Sequence, residues 1–134
     1  MTATKIDQYA DILDVRDIIA RFEEVESQLE GLSSIEEAIT QGLQDEWEEM
    51  GVLGTLLEDL AGGGGDEQWR GDWYPVTLIR ESYFVDYVQE LLEDCGTIPK
   101  DLPHYVHIDW ESTARDIRTD YSGAEFHGVT YWYR

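Results

Sequence analysis

An amphipathic pattern runs through residues 15–32, VRDIIARFEEVESQLEGL. Its apolar residues recur at alternating steps of three and four, the spacing of one helix face or of a coiled-coil contact. Gly31 is suited to end this helix, and the serines at 33 and 34 are each followed three residues later by a glutamate, as in a capping box. We therefore expect a helical hairpin. Interior glycines weaken a helix, so we expect the second helix, running to about residue 60, to bend or break near Gly51.

The charge of the chain is strongly negative and unevenly distributed. The 134 residues include 30 Asp and Glu against 9 Lys and Arg, a formal net charge of −21. Residues 1–67 hold 18 acidic and 3 basic residues (−15), and residues 68–134 hold 12 and 6 (−6). Residues 23–68, here called the acidic interval, hold 14 acidic residues and no Lys or Arg. Ion pairs between neighbouring helical turns cannot neutralise such a stretch.

The acidic interval is our candidate partner-binding surface, because a surface of one sign attracts a cationic partner over long range. Its densest part consists of ten carboxylates expected on exposed helix faces: Glu23, Glu24, Glu26, Glu30, Glu36, Glu37, Asp45, Glu46, Glu48 and Glu49. The cluster at 45–49 lacks the spacing of a calcium loop, so a solvated helix face is favoured over a metal site.

The same charge excludes several classes of protein. A negative surface repels phosphate backbones and anionic lipids, so we expect no direct binding to nucleic acid or to a membrane. No apolar run approaches the roughly 18 residues that span a bilayer, and the N-terminus lacks a secretory pattern. We expect a cytoplasmic protein. The single Cys95 cannot form an intramolecular disulfide, and we expect it to be a small buried residue.

The chain offers little that suggests catalysis or metal binding. Cys95, His104, His107 and His127 are the residues that invite a metal site, but their spacing is not a recognised zinc pattern. Carboxylates are so abundant that the proximity of two of them indicates no acid–base pair. We therefore expect no enzyme, no metal and no cofactor.

Four consecutive glycines at 62–65 mark the clearest boundary in the chain. Asp and Glu follow them, not the Lys-Ser/Thr of a phosphate-binding loop. We predict an acidic helical hairpin over 1–61, a linker over 62–66 and a second domain over 67–134. The fold class is then α+β.

The second domain is expected to contain two helices and a β-hairpin. A short strand is expected at 76–80, and a helix capped by Ser82 at about 83–95. Asp109 is a good N-cap for a helix beginning at Trp110. The pair His127-Gly128, between β-prone runs, predicts a tight hairpin turn near the C-terminus.

Three segments of this second half resemble one family. They are TLIRESYFVDY at 77–87, IDWESTARD at 108–116, and DY at 120–121 followed by FHGVTYWYR at 126–134. Together and in this order they resemble the C-terminal part of ArdA-type antirestriction proteins, over roughly residues 66–134. The acidic helices before them do not resemble the usual N-terminal α/β domain of that family.

The resemblance implies a non-enzymatic inhibitor carried by phages and mobile elements. Such proteins are acidic dimers whose carboxylates imitate the phosphates of bent DNA, and they occupy the DNA groove of Type I restriction-modification enzymes. The C-terminal domain of the family contributes to dimer contacts. Our candidate dimer residues are Val15 and Phe22 in the helical stripe and Tyr131 and Tyr133 in the terminal strand.

Our leading hypothesis is therefore a DNA-mimic inhibitor of a host defence complex, and anti-CRISPR activity is a variant of it. The alternative is a dimeric adaptor or assembly protein that uses the helical stripe and the C-terminal aromatic residues, with the acids serving solubility.

Overall fold

The computed structural model describes residues 5–99 and 101–134. It contains helices and strands in one α+β arrangement, as predicted. The helices are α1 (Val15–Gln28), α2 (Ile35–Thr40), α3 (Gln44–Leu60), α4 (Phe84–Asp94) and α5 (Trp110–Arg118), with a 3-10 turn at Glu81–Tyr83. The strands are β1 (Ile12–Asp14), β2 (Asp66–Trp69), β3 (Asp72–Tyr74), β4 (Thr77–Arg80), β5 (Ser122–Phe126) and β6 (Val129–Tyr133).

A four-stranded antiparallel sheet lies at the centre, in the order β1-β4-β6-β5. Leu13 of β1 is paired with Leu78 of β4, and Ile79 of β4 is paired with Trp132 of β6. The N-terminal strand is therefore hydrogen-bonded to a strand that follows it by more than sixty residues. Strands β2 and β3 form a separate two-stranded hairpin.

Side-chain alternation along the strands gives the sheet two apolar faces. Leu78 and Tyr131 belong to a core shared with α1 and α3. Their neighbours Ile79 and Trp132 belong to a second cluster shared with α4 and α5. The sheet thus carries a helical layer on each face, and the acidic interval supplies most of one layer.

The predicted helical stripe is confirmed in α1, where Val15, Ile18 and Val25 are fully buried. Helix α1 packs against α3. The predicted cap by Ser34 is also present, since the backbone N–H of Glu37 donates to Ser34 Oγ at the start of α2. The Glu37 carboxylate accepts from the backbone N–H of Ser33, one residue before the cap, where a full capping box would have it accept from Ser34. Helix α1 therefore forms for the reason that the pattern indicated, the burial of its apolar face.

The predicted break near Gly51 is wrong. Helix α3 continues through Gly51, and the chain instead leaves the helical path before α3, at Gly42. Gly42 has a φ of +74°, a conformation that favours glycine. Gly51 is exposed on α3, where tertiary packing of the opposite face holds the helix together despite the weak propensity of glycine.

Three predicted features of the second half are confirmed. Strand β4 occupies the predicted position, and the Asp109 side chain accepts a hydrogen bond from the Ser112 N–H at the start of α5. His127 and Gly128, both with positive φ, form the turn between β5 and β6. Ser82, by contrast, lies within the 3-10 turn, and α4 begins without a side-chain cap.

The glycine run is packed against both halves of the chain. A Cβ on Gly63 would lie 2.8 Å from the Tyr133 ring, and a Cβ on Gly65 would overlap the carbonyl oxygen of Tyr74. Residues from both sides of the run share one apolar core. The division into domains at 62–66 stays a prediction about folding units. No helix among the described residues is long and apolar enough to span a bilayer.

Candidate partner-binding surface

The ten predicted carboxylates lie on or beside α1, α2 and α3 and differ in exposure. Glu24, Glu46 and Glu49 are partly buried. The other seven are exposed: Glu23, Glu26, Glu30, Glu36, Glu37, Asp45 and Glu48. Because α1 and α2 each pack against α3, the structure brings the predicted surface together in one helical layer.

Glu49 is an internal ion-pair partner. Both of its oxygens accept hydrogen bonds from the Arg21 guanidinium, at 2.7 Å and 2.8 Å. The pair joins α3 to α1, and the two side chains are only 16% and 12% exposed. The hydrogen bonds from Arg21 hold the pKa of Glu49 below its usual range. This carboxylate therefore serves the packing of the layer.

Glu26 is also paired, with a residue just beyond the acidic interval. Its two oxygens accept from one nitrogen of Arg70 at 3.0 Å and 3.2 Å. The Arg70 guanidinium also lies 4.0 Å from the centre of the Trp69 ring, in a cation–π contact. Arg70 and Gly71 form the turn between β2 and β3, so this pair ties α1 to that hairpin.

The remaining carboxylates have weaker internal contacts or none. Glu37 accepts from the backbone N–H and the hydroxyl of Ser33. Glu24 and Glu48 accept long hydrogen bonds from glutamines one turn away. Within the described residues, five of the ten predicted carboxylates form no hydrogen bond or ion pair: Glu23, Glu30, Glu36, Asp45 and Glu46. These are the groups with most capacity to accept from a partner.

An open groove of about 920 Å³ lies between the end of α1, the first turns of α3 and the β2–β3 turn. Its apolar side chains include Leu29, Leu32, Trp47 and Met50, together with Trp69. The carboxylates of α1 and of the residues after it border the groove. Its lining is therefore part apolar and part acidic.

The four predicted dimer residues lie in the core of the chain itself. Val15 and Tyr131 are fully buried, Tyr133 is 8% exposed, and Phe22 packs partly buried against the same core. The Tyr131 hydroxyl donates to the carbonyl oxygens of Gln8 and Ala10, each at 3.2 Å. In the single chain these side chains therefore contribute to its own core.

The cysteine and the histidines are dispersed. The prediction that Cys95 is buried is wrong, because it follows the last turn of α4 on the exposed side. No group of three or more His, Cys, Asp or Glu in the described part of the chain is arranged to hold a metal ion.

Sequence reasoning missed the groove and the role of Arg70. A signal was present, since Arg70-Gly71 lies between QW and DWY and resembles an X-Gly hairpin turn. The positive φ values of both residues, 49° and 80°, agree with that turn. Trp47 and Trp69, however, come from separate elements, and no local pattern indicates that they line one groove.

Comparison with known proteins identifies the family. No curated protein and no solved structure is significantly similar to this chain. The family model described as antirestriction protein (ArdA) matches residues 1–130. The match extends over the acidic helices, which the sequence motifs alone did not relate to the family. The chain belongs to the ArdA family of antirestriction proteins.

Proposed function

We propose that this chain inhibits a Type I restriction-modification enzyme by occupying its DNA-binding groove with carboxylates in place of phosphates. The observation that carries the proposal is the acidic interval, with 14 carboxylates and no Lys or Arg; twelve of these carboxylates lie on or beside α1, α2 and α3, in one helical layer over a sheet. The source is a phage or mobile element, and the site of action is the host cytoplasm. Anti-CRISPR activity is the same strategy against another basic channel.

The amount of charge supports the proposal. Duplex DNA carries about one charge per 1.7 Å of axis, so 21 net charges match very roughly 36 Å of duplex. Helices held by packing keep their carboxylates in a fixed arrangement. A partner then gains charge-assisted hydrogen bonds to its Arg and Lys without first ordering the inhibitor.

The proposal includes a homodimer, with a contact different from the one predicted from sequence. Because Val15 and Tyr131 are buried, we place the contact with a second copy at exposed apolar side chains. Tyr105 and Val106, 72% and 42% exposed, are such residues in the second half. The adaptor alternative loses its main support, since it relied on the same buried stripe and aromatic residues.

The test is competition with DNA. Purified protein is added to a Type I enzyme bound to a labelled duplex, and the displaced DNA is measured by mobility shift at low and high salt. We expect displacement at low salt, and the affinity of the protein for the DNA-free enzyme, measured directly, should fall as salt rises. The triple variant Glu23→Gln, Glu30→Gln and Asp45→Asn should weaken displacement by about tenfold, since each removes a free carboxylate.

The matched control removes the same charge from the second half. Asp94→Asn, Asp116→Asn and Glu111→Gln are exposed positions on α4 and α5, outside the acidic interval, and this triple variant should displace DNA almost as well as the natural chain. Equal losses in both triple variants would show that only net charge matters. Absence of displacement by the unmodified protein would contradict the proposal.

A further inference from the structure

The groove between α1, α3 and the β2–β3 turn differs from a simple imitation of DNA. A phosphate backbone offers charge but no apolar side chains, whereas this groove combines both. Leu29 is buried beneath it, while Trp47 and Met50 are half-buried and line it. A partner that inserted an apolar side chain here would gain contact that DNA cannot give.

The charge at the groove is unbalanced. Glu23, Glu26 and Glu30 line it on the α1 side, and Arg70 is the cation that lines it. Arg70 is paired with Glu26. Glu23 and Glu30 therefore remain without an internal partner in the described chain, and two further cations are needed for neutrality.

Arg70 shows which chemistry the groove accepts. Its guanidinium is placed between a carboxylate at 3.0 Å and the face of Trp69 at 4.0 Å. The same combination of an acid and an aromatic face suits an arginine supplied by another protein. The volume of about 920 Å³ is enough for several side chains.

We propose that this groove binds a segment of the target protein in which one large apolar side chain lies between two basic side chains. The proposal rests on the proposed function for the nature of the partner. DNA-binding surfaces often present such segments, because their apolar wedges and stacking side chains are flanked by Lys and Arg. The contact adds a component of affinity that salt does not screen.

The test uses two synthetic peptides of equal charge, each with two arginines flanking a central residue, which is phenylalanine in one and serine in the other. Binding to the full chain is followed by tryptophan fluorescence, since Trp47 and Trp69 line the groove. We expect the phenylalanine peptide to bind about tenfold more tightly. That ratio should persist at 0.5 M salt, while both affinities fall.

Variants locate the site. Met50→Gln, in α3, and Leu32→Ser, which lies outside the helices, should each reduce the preference to about twofold or less. Val52→Gln is the control, because Val52 is exposed on the same helix and lines a different cleft; it should leave the preference unchanged. Circular dichroism confirms that each variant is folded.

The outcomes separate this inference from the proposed function. Equal binding of the two peptides, or a preference that both groove variants retain, would overturn the groove proposal even if the protein displaces DNA from the restriction enzyme. A protein that fails to displace DNA but keeps the preference, with loss in the groove variants, would contradict the proposed function and support the groove.

Discussion

Substituting Glu49 by Gln tests whether the stability of the helical layer formed by α1, α2 and α3 depends on one internal ion pair. The Glu49 carboxylate and the Arg21 guanidinium form two short hydrogen bonds between α1 and α3. With side chains 16% and 12% exposed, the pair lies between a surface pair and a buried one. Glutamine keeps the shape of the side chain but leaves the Arg21 charge without its carboxylate.

The expected loss of stability follows from that position. Exposed ion pairs contribute about 0.2 to 1 kcal/mol, and breaking a buried pair costs about 3 to 5 kcal/mol. A loss of about 2 kcal/mol is therefore expected for this partly shielded, bidentate pair. With about 2.1 cal/mol/K of unfolding entropy per residue over 134 residues, this corresponds to a Tm lower by about 7 °C.

Thermal unfolding followed by circular dichroism measures the effect. Glu48→Gln is the control, since Glu48 is exposed on the same helix and accepts only a 3.5 Å hydrogen bond from Gln44; its Tm should change by less than about 1 °C. A Tm for Glu49→Gln within 1 °C of the control would refute the reasoning. Inhibition measured well below the Tm should be nearly unchanged, because the Glu49 carboxylate is already paired with Arg21 and is not free to contact the target.

Three further predictions follow from the packing. The Tm difference between the natural chain and Glu49→Gln should be largest above about pH 4.3, the unfolded pKa of a glutamate. It should shrink as pH falls through the lower folded pKa of Glu49, because protonation of Glu49 removes the same charge as the substitution. Gly65→Ala should lower the free energy of unfolding by about 3 kcal/mol or prevent folding, since the added Cβ would overlap backbone atoms at a residue with positive φ. Gly62→Ala is the control, because Gly62 also has a positive φ but open space around it; urea titration should show a loss of about 1 kcal/mol. Tyr131→Phe should cost about 1 kcal/mol through the lost hydrogen bonds; a Tm loss that grows on dilution would instead place Tyr131 in a dimer contact.

Local chemistry made part of the fold predictable. The spacing of apolar residues from Val15 onward predicts which face of α1 is buried, and Asp109 predicts the start of α5, which it caps. The turn at His127 follows from two β-prone runs separated by an X-Gly pair. In each case the physical cause acts within a few residues of the signal.

Long-range pairing made the rest unpredictable. Strand β1 has three residues, and its partner β4 lies in the other half of the chain. The sequence of Ile12–Asp14 does not indicate which strand it pairs with, because an edge strand is stabilised by the sheet that it joins. The packing of both halves on one core depends on this pairing and on the face of the sheet that each side chain occupies.

The candidate site was predictable in composition but not in electrostatics. The sequence identified the ten carboxylates, yet Glu26 and Glu49 are neutralised by Arg70 and Arg21, which are 44 and 28 residues away. Which carboxylates remain free is a property of the fold. The mixed groove is likewise assembled from three elements.

The positions of these two arginines explain how so acidic a layer remains folded and still has charge to offer. Arg21 lies two residues before the interval and Arg70 two residues after it. Among the described residues, they are the cations that form ion pairs with its carboxylates. Each pair joins two elements, α1 with α3 and α1 with the β2–β3 turn, so both cations fix the packing of the helices. The carboxylates left over therefore lie on helices that these two pairs hold in place.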